Sequence, residues 1–254
     1  YFSGKKQDRG NGSVALFPTC MVEYQNPGIG KDAARVMERN HIGCDLPDGL
    51  QCCGMPHLDI GNLEAFKAQA GENARILARQ VRQGKEIVAL QPTCAYTLKH
   101  EYPAYLKTED ARLVGEHTQD VGEYLMGVHR AEGKGLDTNF TGKVEENISW
   151  HIPCHLKAQN IGFKSRDLMR LTGAKVTLVD KCAGIDGGWG LRAENYEAAH
   201  KIAVPMVNAI EKAGHSCVAG DCSLANGVIA EETGKVASHP VQVLARAYGI
   251  PKED

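Results

Sequence analysis

The stretch Cys52-Cys53-Gly54-Met55-Pro56 contains two adjacent cysteines followed by a glycine, and single cysteines lie far from it at Cys20 and Cys94. Adjacent thiols rarely bond to each other, but both can bind one iron-sulfur cluster if the following glycine lets the backbone turn beneath it. The wide spacing favours ligands that a fold brings together over the local spacing of a zinc knuckle. The stretch therefore predicts an iron-sulfur site held by Cys20, Cys52, Cys53 and Cys94.

The same layout occurs a second time along the chain. Cys154 is followed by Cys182-Ala183-Gly184 and then by Cys222. Short strings agree with the repeat, because Asn62-Leu63-Glu64-Ala65 follows the first glycine motif and Asn195-Tyr196-Glu197-Ala198 follows the second. An internal repeat of this kind predicts two lobes of similar shape.

Apolar runs alternate with amphipathic segments in both halves of the chain. Strands are predicted at 14–17, 42–46, 87–90, 148–151, 176–179 and 216–219, and helices at 30–40, 62–83, 121–126, 166–172 and 196–213. This alternation predicts an α/β fold with parallel sheets flanked by helices. The predicted organisation is a first lobe at 14–126, a linker at 127–142 and a second lobe at 143–250, with the lobes related by an approximate two-fold pseudo-symmetry.

Four cysteines come directly after predicted strands, namely Cys20, Cys94, Cys154 and Cys222. Open parallel sheets place their ligands at the carboxyl ends of the strands. Each lobe is therefore expected to carry one site at that edge of its sheet. Cys44 and Cys217 lie inside predicted strands and outside the repeated layout, so we interpret them as thiols of the core.

The repeated pattern of a cysteine, a distant Cys-Cys-Gly and a further cysteine resembles the CCG-domain family of cysteine-rich iron-sulfur proteins, and the match covers most of the chain. Other strings that carry the resemblance are Pro92-Thr93-Cys94, Pro153-Cys154-His155, Gly187-Gly188-Trp189-Gly190 and His239-Pro240. The family includes subunits of heterodisulfide reductase, glycolate oxidase and anaerobic glycerol-3-phosphate dehydrogenase. The resemblance implies a subunit of an oxidoreductase complex that does not itself bind the substrate.

The first half departs from the family's full pattern, in which each half ends in Cys-x-x-Cys and supplies five thiolates. Gln91 stands at the earlier cysteine position of that pair, and Cys94 stands at the later one. Four thiolates remain, a number that suits a 4Fe-4S cluster.

The second half departs further, because Ala183 and Ala225 both stand at cysteine positions. Cys154, Cys182 and Cys222 remain as predicted ligands. Three thiolates leave several outcomes open, which are a 4Fe-4S cluster, a 3Fe-4S cluster, a zinc ion completed by His155, His151 or Asp221, or an empty site.

Composition sets the remaining limits. The chain has 254 residues with 43% hydrophobic residues and a net charge of −2, which is typical of a globular protein and argues against nucleic acid as a partner. No apolar stretch reaches the roughly 18 residues of a membrane span, so we expect a cytoplasmic protein whose membrane contact comes through a partner or an interfacial surface. An odd number of cysteines, nine, disfavours a disulfide scaffold.

These observations lead to an iron-sulfur electron-transfer subunit as the main functional hypothesis. It would take electrons from a partner flavoprotein dehydrogenase, directly or through ferredoxin-type clusters, and pass them to quinone or another acceptor. The chain opens at Tyr1 with a polar tail from Ser3 to Ser13, and the resemblance implies a ferredoxin-like domain upstream. One alternative is a cluster-based disulfide reductase of the heterodisulfide type, and another is a structural, zinc-bearing assembly module.

Overall fold

Strands and helices alternate through both halves of the protein. The computed structural model describes residues 10–133 and 135–251. The first half contains β1 (Ser13–Phe17), α1 (Cys20–Tyr24), α2 (Pro27–Arg39), β2 (Gly43–Asp45), α3 (Met55–Asp59), α4 (Leu63–Arg82), β3 (Glu86–Ala89), α5 (Pro92–Tyr96), a π-helical turn (Thr97–Glu101), α6 (Tyr102–Leu106), α7 (Glu109–Glu116), β4 (Thr118–Asp120) and α8 (Val121–Arg130). The second half contains β5 (Asn147–His151), α9 (Cys154–Ala158), α10 (Lys164–Arg170), β6 (Lys175–Val179), two 3-10 turns (Trp189–Leu191 and Ala193–Asn195), α11 (Tyr196–Ala213), β7 (Cys217–Gly220), α12 (Ser223–Thr233) and α13 (Pro240–Ala247).

The strands form two parallel sheets. The first sheet has the order β2-β1-β3-β4, and the second has the order β6-β5-β7. In each sheet the first strand of the half lies between the second and the third, and all these pairs are parallel. The predicted α/β class with two repeated, helix-flanked lobes is confirmed.

The central strand β1 is apolar on both faces. Val14 and Leu16 pack with α2 residues such as Met37, whereas Phe17 packs with Phe66 of α4 on the opposite face. Successive side chains of a strand point to opposite faces, so a strand covered on both sides needs a continuous apolar run. This requirement explains why the strand could be predicted from Val14 to Phe17.

Equivalent strings start the long helix of each lobe. Asn62 is the N-cap of α4, and Asn195 is the N-cap of α11. The second lobe also has a counterpart of β4, because Ser238 forms a parallel bridge with Ala219. The repeat therefore extends from the cysteine motifs to the edge of each sheet.

The last helix of each lobe packs against the other lobe. Helix α8 lies against α10 of the second lobe, and α13 lies against α2 of the first. Both helices begin with a capping box, formed by Asp120 with Glu123 in α8 and by His239 with Gln242 in α13. One apolar core contains residues of both halves, including Leu16 with Leu244. The exchanged helices hold the lobes together.

Several elements were not predicted from the sequence, namely α7, β4, α12 and α13. Helix α8 was predicted to end at Met126 but continues to Arg130, four residues into the segment predicted as a linker. The following residues pack against the protein, because Leu136 is buried and the Phe140 ring lies 5.1 Å from that of Tyr248. Most of the predicted polar tail, at 3–9, lies outside the described residues. No helix in the described ranges is both long enough and apolar enough to span a bilayer.

Two buried carboxyl groups lie within electrostatic reach of each other where the lobes meet. Asp120 caps α8 and accepts a hydrogen bond from Gly122 N at 2.9 Å, and Asp221 accepts one from Trp150 Nε1 at 2.7 Å. Burial, followed by the charge of Asp221, raises the pKa of Asp120 to about 8. Burial also raises the pKa of Asp221, to about 6.

We expect the thermal stability to fall as the pH rises from about 6 to about 9. A carboxyl group whose pKa is raised in the folded state holds its proton more tightly there, so the associated stability is lost as the pH passes through the folded value. The slope reaches up to about 1.4 kcal/mol per pH unit for one group. Asp120→Asn keeps the capping oxygen and should flatten the decline in melting temperature. An equal decline in both proteins would contradict this assignment.

Candidate metal centre

The four cysteines of the first half lie at the carboxyl edge of the first sheet. Cys20 is the first residue of α1, just beyond β1, and Cys94 lies in α5, just beyond β3. Cys52 and Cys53 lie in the loop before α3. Because β1 and β3 are neighbours in a parallel sheet, the segments that follow them start side by side. The fold thus brings these four residues, here called the first cysteine set, into one region.

The thiols of the first cysteine set interact directly. The Sγ atoms of Cys20 and Cys52 are 4.0 Å apart, and the Cys53 thiol forms hydrogen bonds with the thiols of Cys52 and Cys94. Hydrogen bonding to Cys52, followed by burial, raises the pKa of Cys20 well above its usual value. The pKa of Cys53 is raised in the same way, and the pKa of Cys52 is lowered because the thiols of Cys20 and Cys53 donate to its sulfur.

These interactions fit the donor set of an iron-sulfur cluster. Four thiolates at this separation repel one another, so full deprotonation requires a cationic group among them. Sulfur ligands of this kind select iron-sulfur clusters, zinc or Cu(I), and a count of four suits a 4Fe-4S cluster. In such a cluster each thiolate binds a separate iron atom, so the sulfur atoms do not have to converge on one point.

Two residues beside the first cysteine set have positive φ angles. Gly54 has a φ of 90°, and a Cβ atom there would lie 2.9 Å from Phe66 Cδ2, so this turn favours glycine. Thr19 has a φ of 72° and a ψ of 150°, a combination that costs a β-branched residue free energy. Its Oγ1 accepts a hydrogen bond from Val22 N at 3.3 Å. The strained backbone therefore lies directly before one cysteine and directly after another.

A buried hydrogen-bond network fixes the backbone of the adjacent cysteines. Asn73 of α4 is fully buried, and its Oδ1 accepts from Gln51 N at 2.8 Å while its Nδ2 donates to Cys52 O at 2.9 Å. The Tyr102 hydroxyl donates to Cys53 O at 3.0 Å and accepts from Asn73 Nδ2 at 3.1 Å. These bonds tie the loop to α4 and α6.

We expect Asn73→Leu to lower both the stability of the protein and its ability to retain metal. The change removes several hydrogen bonds at once and leaves buried backbone groups of Gln51 and Cys52 without partners, at a cost of about 2–4 kcal/mol. The melting temperature and the iron retained after gel filtration measure the two effects. Gln69→Leu is the control, because exposed Gln69 reaches only Gln51 Oε1, at 3.4 Å. Equal losses in both variants would contradict the role of Asn73.

The cysteines of the second half are arranged differently. Cys154, at the start of α9, and Cys182, in the loop after β6, are both exposed. Gly184 N donates a hydrogen bond to Cys182 Sγ at 3.3 Å. Desolvation of the thiol, followed by the charge of Cys182, raises the pKa of Cys154. These two thiols form a pair that is open to solvent.

Cys222 lies where the two lobes meet. It is the N-cap residue of α12, and the backbone N–H groups of Ala225 and Leu224 form hydrogen bonds with its sulfur. Burial raises the pKa of Cys222, and the charges of Asp221 and Cys94 add to the increase. The structure thus places the third predicted ligand of the second half within electrostatic reach of Cys94 of the first cysteine set.

The residues considered as zinc ligands each have a hydrogen-bonding partner. His155 Nδ1 lies 3.0 Å from Thr93 Oγ1, and His151 Nε2 lies 3.0 Å from Lys181 O. Asp221 accepts from Trp150 Nε1 at 2.7 Å and also from Ser165 Oγ. Across residues 10–133 and 135–251, no three His, Cys, Asp or Glu side chains converge in the way that a single metal ion requires.

Cys44 and Cys217 lie in the sheets, away from these groups. Cys44 is buried in β2, and Cys217 is buried in β7. Burial is the largest cause of the raised pKa of both thiols, about 12 for Cys44 and about 11 for Cys217. Both are therefore poor nucleophiles and poor metal ligands at neutral pH.

The fold and the cysteine pattern define a two-lobed, cysteine-rich α/β protein with a candidate cluster site at a sheet edge. The family model of the CCG cysteine-rich domain matches this chain twice, at residues 14–99 and 148–226. The protein belongs to this family. Each match begins within the first strand of a lobe and includes all the predicted cysteine ligands of that lobe.

Several proteins of known sequence are similar to this chain. The subunit designated C of the anaerobic glycerol-3-phosphate dehydrogenase of Escherichia coli K12 is 30% identical over 237 residues, which is 92% of this chain and 59% of that protein. The subunit designated B of the fumarate reductase (CoM/CoB) of Methanothermobacter marburgensis is 25% identical, over 91% of this chain and 44% of that protein. Lactate utilization protein A of Bacillus cytotoxicus is 26% identical, over 70% of this chain and 74% of that protein. The chain thus spans about half the length of the first two relatives.

Some residues that support the site were not predicted from the sequence. Asn73 was one, although a polar residue beside the apolar stripe of Phe66, Ala70 and Leu77 in a predicted helix is a usable signal. Tyr102 gave no such signal, because its hydroxyl contacts a loop far away along the chain. The hydrogen bond from Ser223 to Gln91 joins the two halves, and no local pattern indicates it.

Proposed function

We propose that this chain is an iron-sulfur electron-transfer subunit of an oxidoreductase complex. The first cysteine set carries the proposal, because four thiols from three chain segments meet at one sheet edge. Cys20, Cys52, Cys53 and Cys94 would hold a 4Fe-4S cluster. When bound, such a cluster accepts and releases single electrons.

The protein supplies position and environment for this group. Cys53 and Cys94 are 2% and 6% exposed, whereas Cys20 and Cys52 are partly exposed. The site therefore has one face buried in the apolar core and one face nearer to solvent. Asn73 and Tyr102 fix the loop between them, so little rearrangement is needed when the charge of the site changes. We propose the partly exposed face as the place where a redox partner approaches.

We propose a flavoprotein dehydrogenase or a ferredoxin-type subunit as the electron donor, and quinone or another small molecule as the acceptor. Two relatives are named as a subunit of a dehydrogenase and a subunit of a reductase, which supports membership of such a complex. The working units would be the lobes at 14–126 and 143–250, joined by a linker at 127–142. We place the complex in the cytoplasm, with any membrane contact made through partners.

The second half would hold a further group at Cys154, Cys182 and Cys222. The open pair of Cys154 and Cys182 and the inward position of Cys222 leave a 4Fe-4S cluster, a 3Fe-4S cluster, zinc or an empty site as the choices. The electrostatic reach between Cys222 and Cys94 supports an electron path between the lobes if that group is redox active.

Anaerobic redox titration followed by EPR spectroscopy tests the function. We expect a reversible one-electron signal in the loaded protein, and we expect a water-soluble quinone to reoxidise the reduced form. The Cys94→Ala variant should lack both responses. Iron that is bound but neither reduced nor reoxidised would contradict an electron-transfer role.

A disulfide reductase is the second candidate, and the exposure of Cys154 and Cys182 favours it. An open pair could leave an iron atom accessible to a sulfur substrate. A disulfide added together with an electron donor should then shift the EPR signal of the second site and yield free thiols. An unchanged signal without thiol release would exclude this candidate.

A further inference from the structure

The side-chain amide of Gln91 lies buried between the two lobes. Gln91 is 4% exposed and is the N-cap residue of α5, the helix that carries Cys94. Its Oε1 accepts a hydrogen bond from Ser223 N at 2.8 Å. Ser223 is the first residue of α12, next to Cys222. The amide therefore joins the helix of Cys94 to the helix start beside Cys222.

This hydrogen bond determines which end of the amide remains unused. Only oxygen can accept from a backbone N–H, so the Oε1 atom faces Ser223 and the NH2 group points elsewhere. Among the described residues, no acceptor lies within hydrogen-bonding distance of Gln91 Nε2. Buried donors without a partner are rare in folded proteins. The NH2 group thus needs an acceptor that the polypeptide does not supply.

Two acceptors are compatible with the surroundings of Gln91. One is a sulfur atom of a group bound at Cys94, since the N-cap and the third helical position lie on the same side of a helix start. The other is a water molecule that bridges to Gln159 Oε1, which also has no partner in the described ranges. Gln159 Nε2 donates to Pro92 O at 3.3 Å, so this side chain reaches the same helix start.

We propose that the NH2 group of Gln91 donates a hydrogen bond to a sulfur atom of the cluster held by the first cysteine set, and that Ser223 of the second lobe fixes its orientation. The inference rests on the proposed function and extends it. Hydrogen bonds to the sulfur atoms help to set cluster potentials, because they stabilise the more negative, reduced form. The second lobe thereby tunes the potential of the first site through one side chain.

Redox titration of three loaded variants tests this inference. Gln91→Met removes both hydrogen-bonding groups, whereas Gln91→Glu keeps an oxygen for Ser223 N and removes the donor. Both variants should favour the oxidised form about tenfold more than the wild type, which is a potential about 59 mV lower for a one-electron couple. Gln159→Met changes the same interface without removing the proposed donor, and it should leave the potential unchanged.

An unchanged potential in both Gln91 variants would overturn the inference. A decrease of equal size in Gln159→Met would also overturn it, because that result indicates a shared water or a general effect of the interface. If the Gln91 variants do not take up iron, the wild type labelled with 15N at its glutamine side chains provides a second test. Its reduced cluster should show a 15N coupling in pulsed EPR that Gln51→Met and Gln159→Met retain.

The two proposals can fail separately. A loaded wild type without any 15N coupling would remove the Gln91 inference and leave the electron-transfer function intact. A wild type that contains no cluster would remove the proposed function, and the inference with it.

Discussion

A Cys53→Ala variant is expected to lose the cluster of the first site, about four iron atoms per chain. Cys53 is 2% exposed and contacts the thiols of both Cys52 and Cys94, so it occupies the interior of the first cysteine set. Removing it leaves three thiolates and a small gap in the core. Iron and acid-labile sulfide should fall together, and the visible absorbance of the cluster should fall with them.

The matched control is Cys44→Ala. Cys44 is as buried as Cys53, but it lies in β2 and outside the first cysteine set. The same chemical change there should lower stability slightly and leave the iron content as in the wild type. Full iron in Cys53→Ala, or an equal loss in Cys44→Ala, would remove Cys53 from the ligand set.

Gly184→Ala is expected to have the largest effect on the second lobe. Gly184 has a φ of 74°, and a Cβ atom there would lie 2.1 Å from Ala199 O in α11. Backbone strain and this clash together should cost about 3 kcal/mol or more. For a protein of this size, such a loss lowers the melting temperature by about 6–12 °C. The shift of the loop should also weaken metal binding at Cys182.

Gly188→Ala serves as the control for this change. Gly188 lies in the same loop with a φ of −91°, and a Cβ atom there meets no atom within 4 Å. We expect a melting temperature close to that of the wild type. Equal decreases in the two variants would mean that the contact between Gly184 and α11 does not determine the stability of the loop.

The long elements could be predicted because their periodicity is strong. Helix α11 was predicted with the bounds that the structure shows, Tyr196–Ala213, and the buried strands differ by one residue at either end. The unpredicted β4 has only three residues, and α12 is rich in small residues, so neither has a clear apolar period. Helix α13 was missed because its partner is α2 of the other lobe, and such long-range packing leaves no local pattern.

The composition of the candidate site could be predicted, but its internal arrangement could not. The repeated motifs indicated all seven cysteines, and the strand ends indicated the edge at which the first cysteine set lies. The inward position of Cys222, close enough to Cys94 for that charge to influence its pKa, depends on how the lobes pack. The contact between Gln91 and Ser223 depends on the same packing, which helices α8 and α13 determine.

Mössbauer spectroscopy of anaerobically purified wild-type protein, combined with iron, zinc and acid-labile sulfide analysis, measures the central property most directly. About four iron atoms with matching sulfide, in the spectrum of a 4Fe-4S cluster, are expected from the first cysteine set. Seven or eight iron atoms would add a cluster in the second lobe. Zinc alone, or no metal, would contradict an electron-transfer function for this chain.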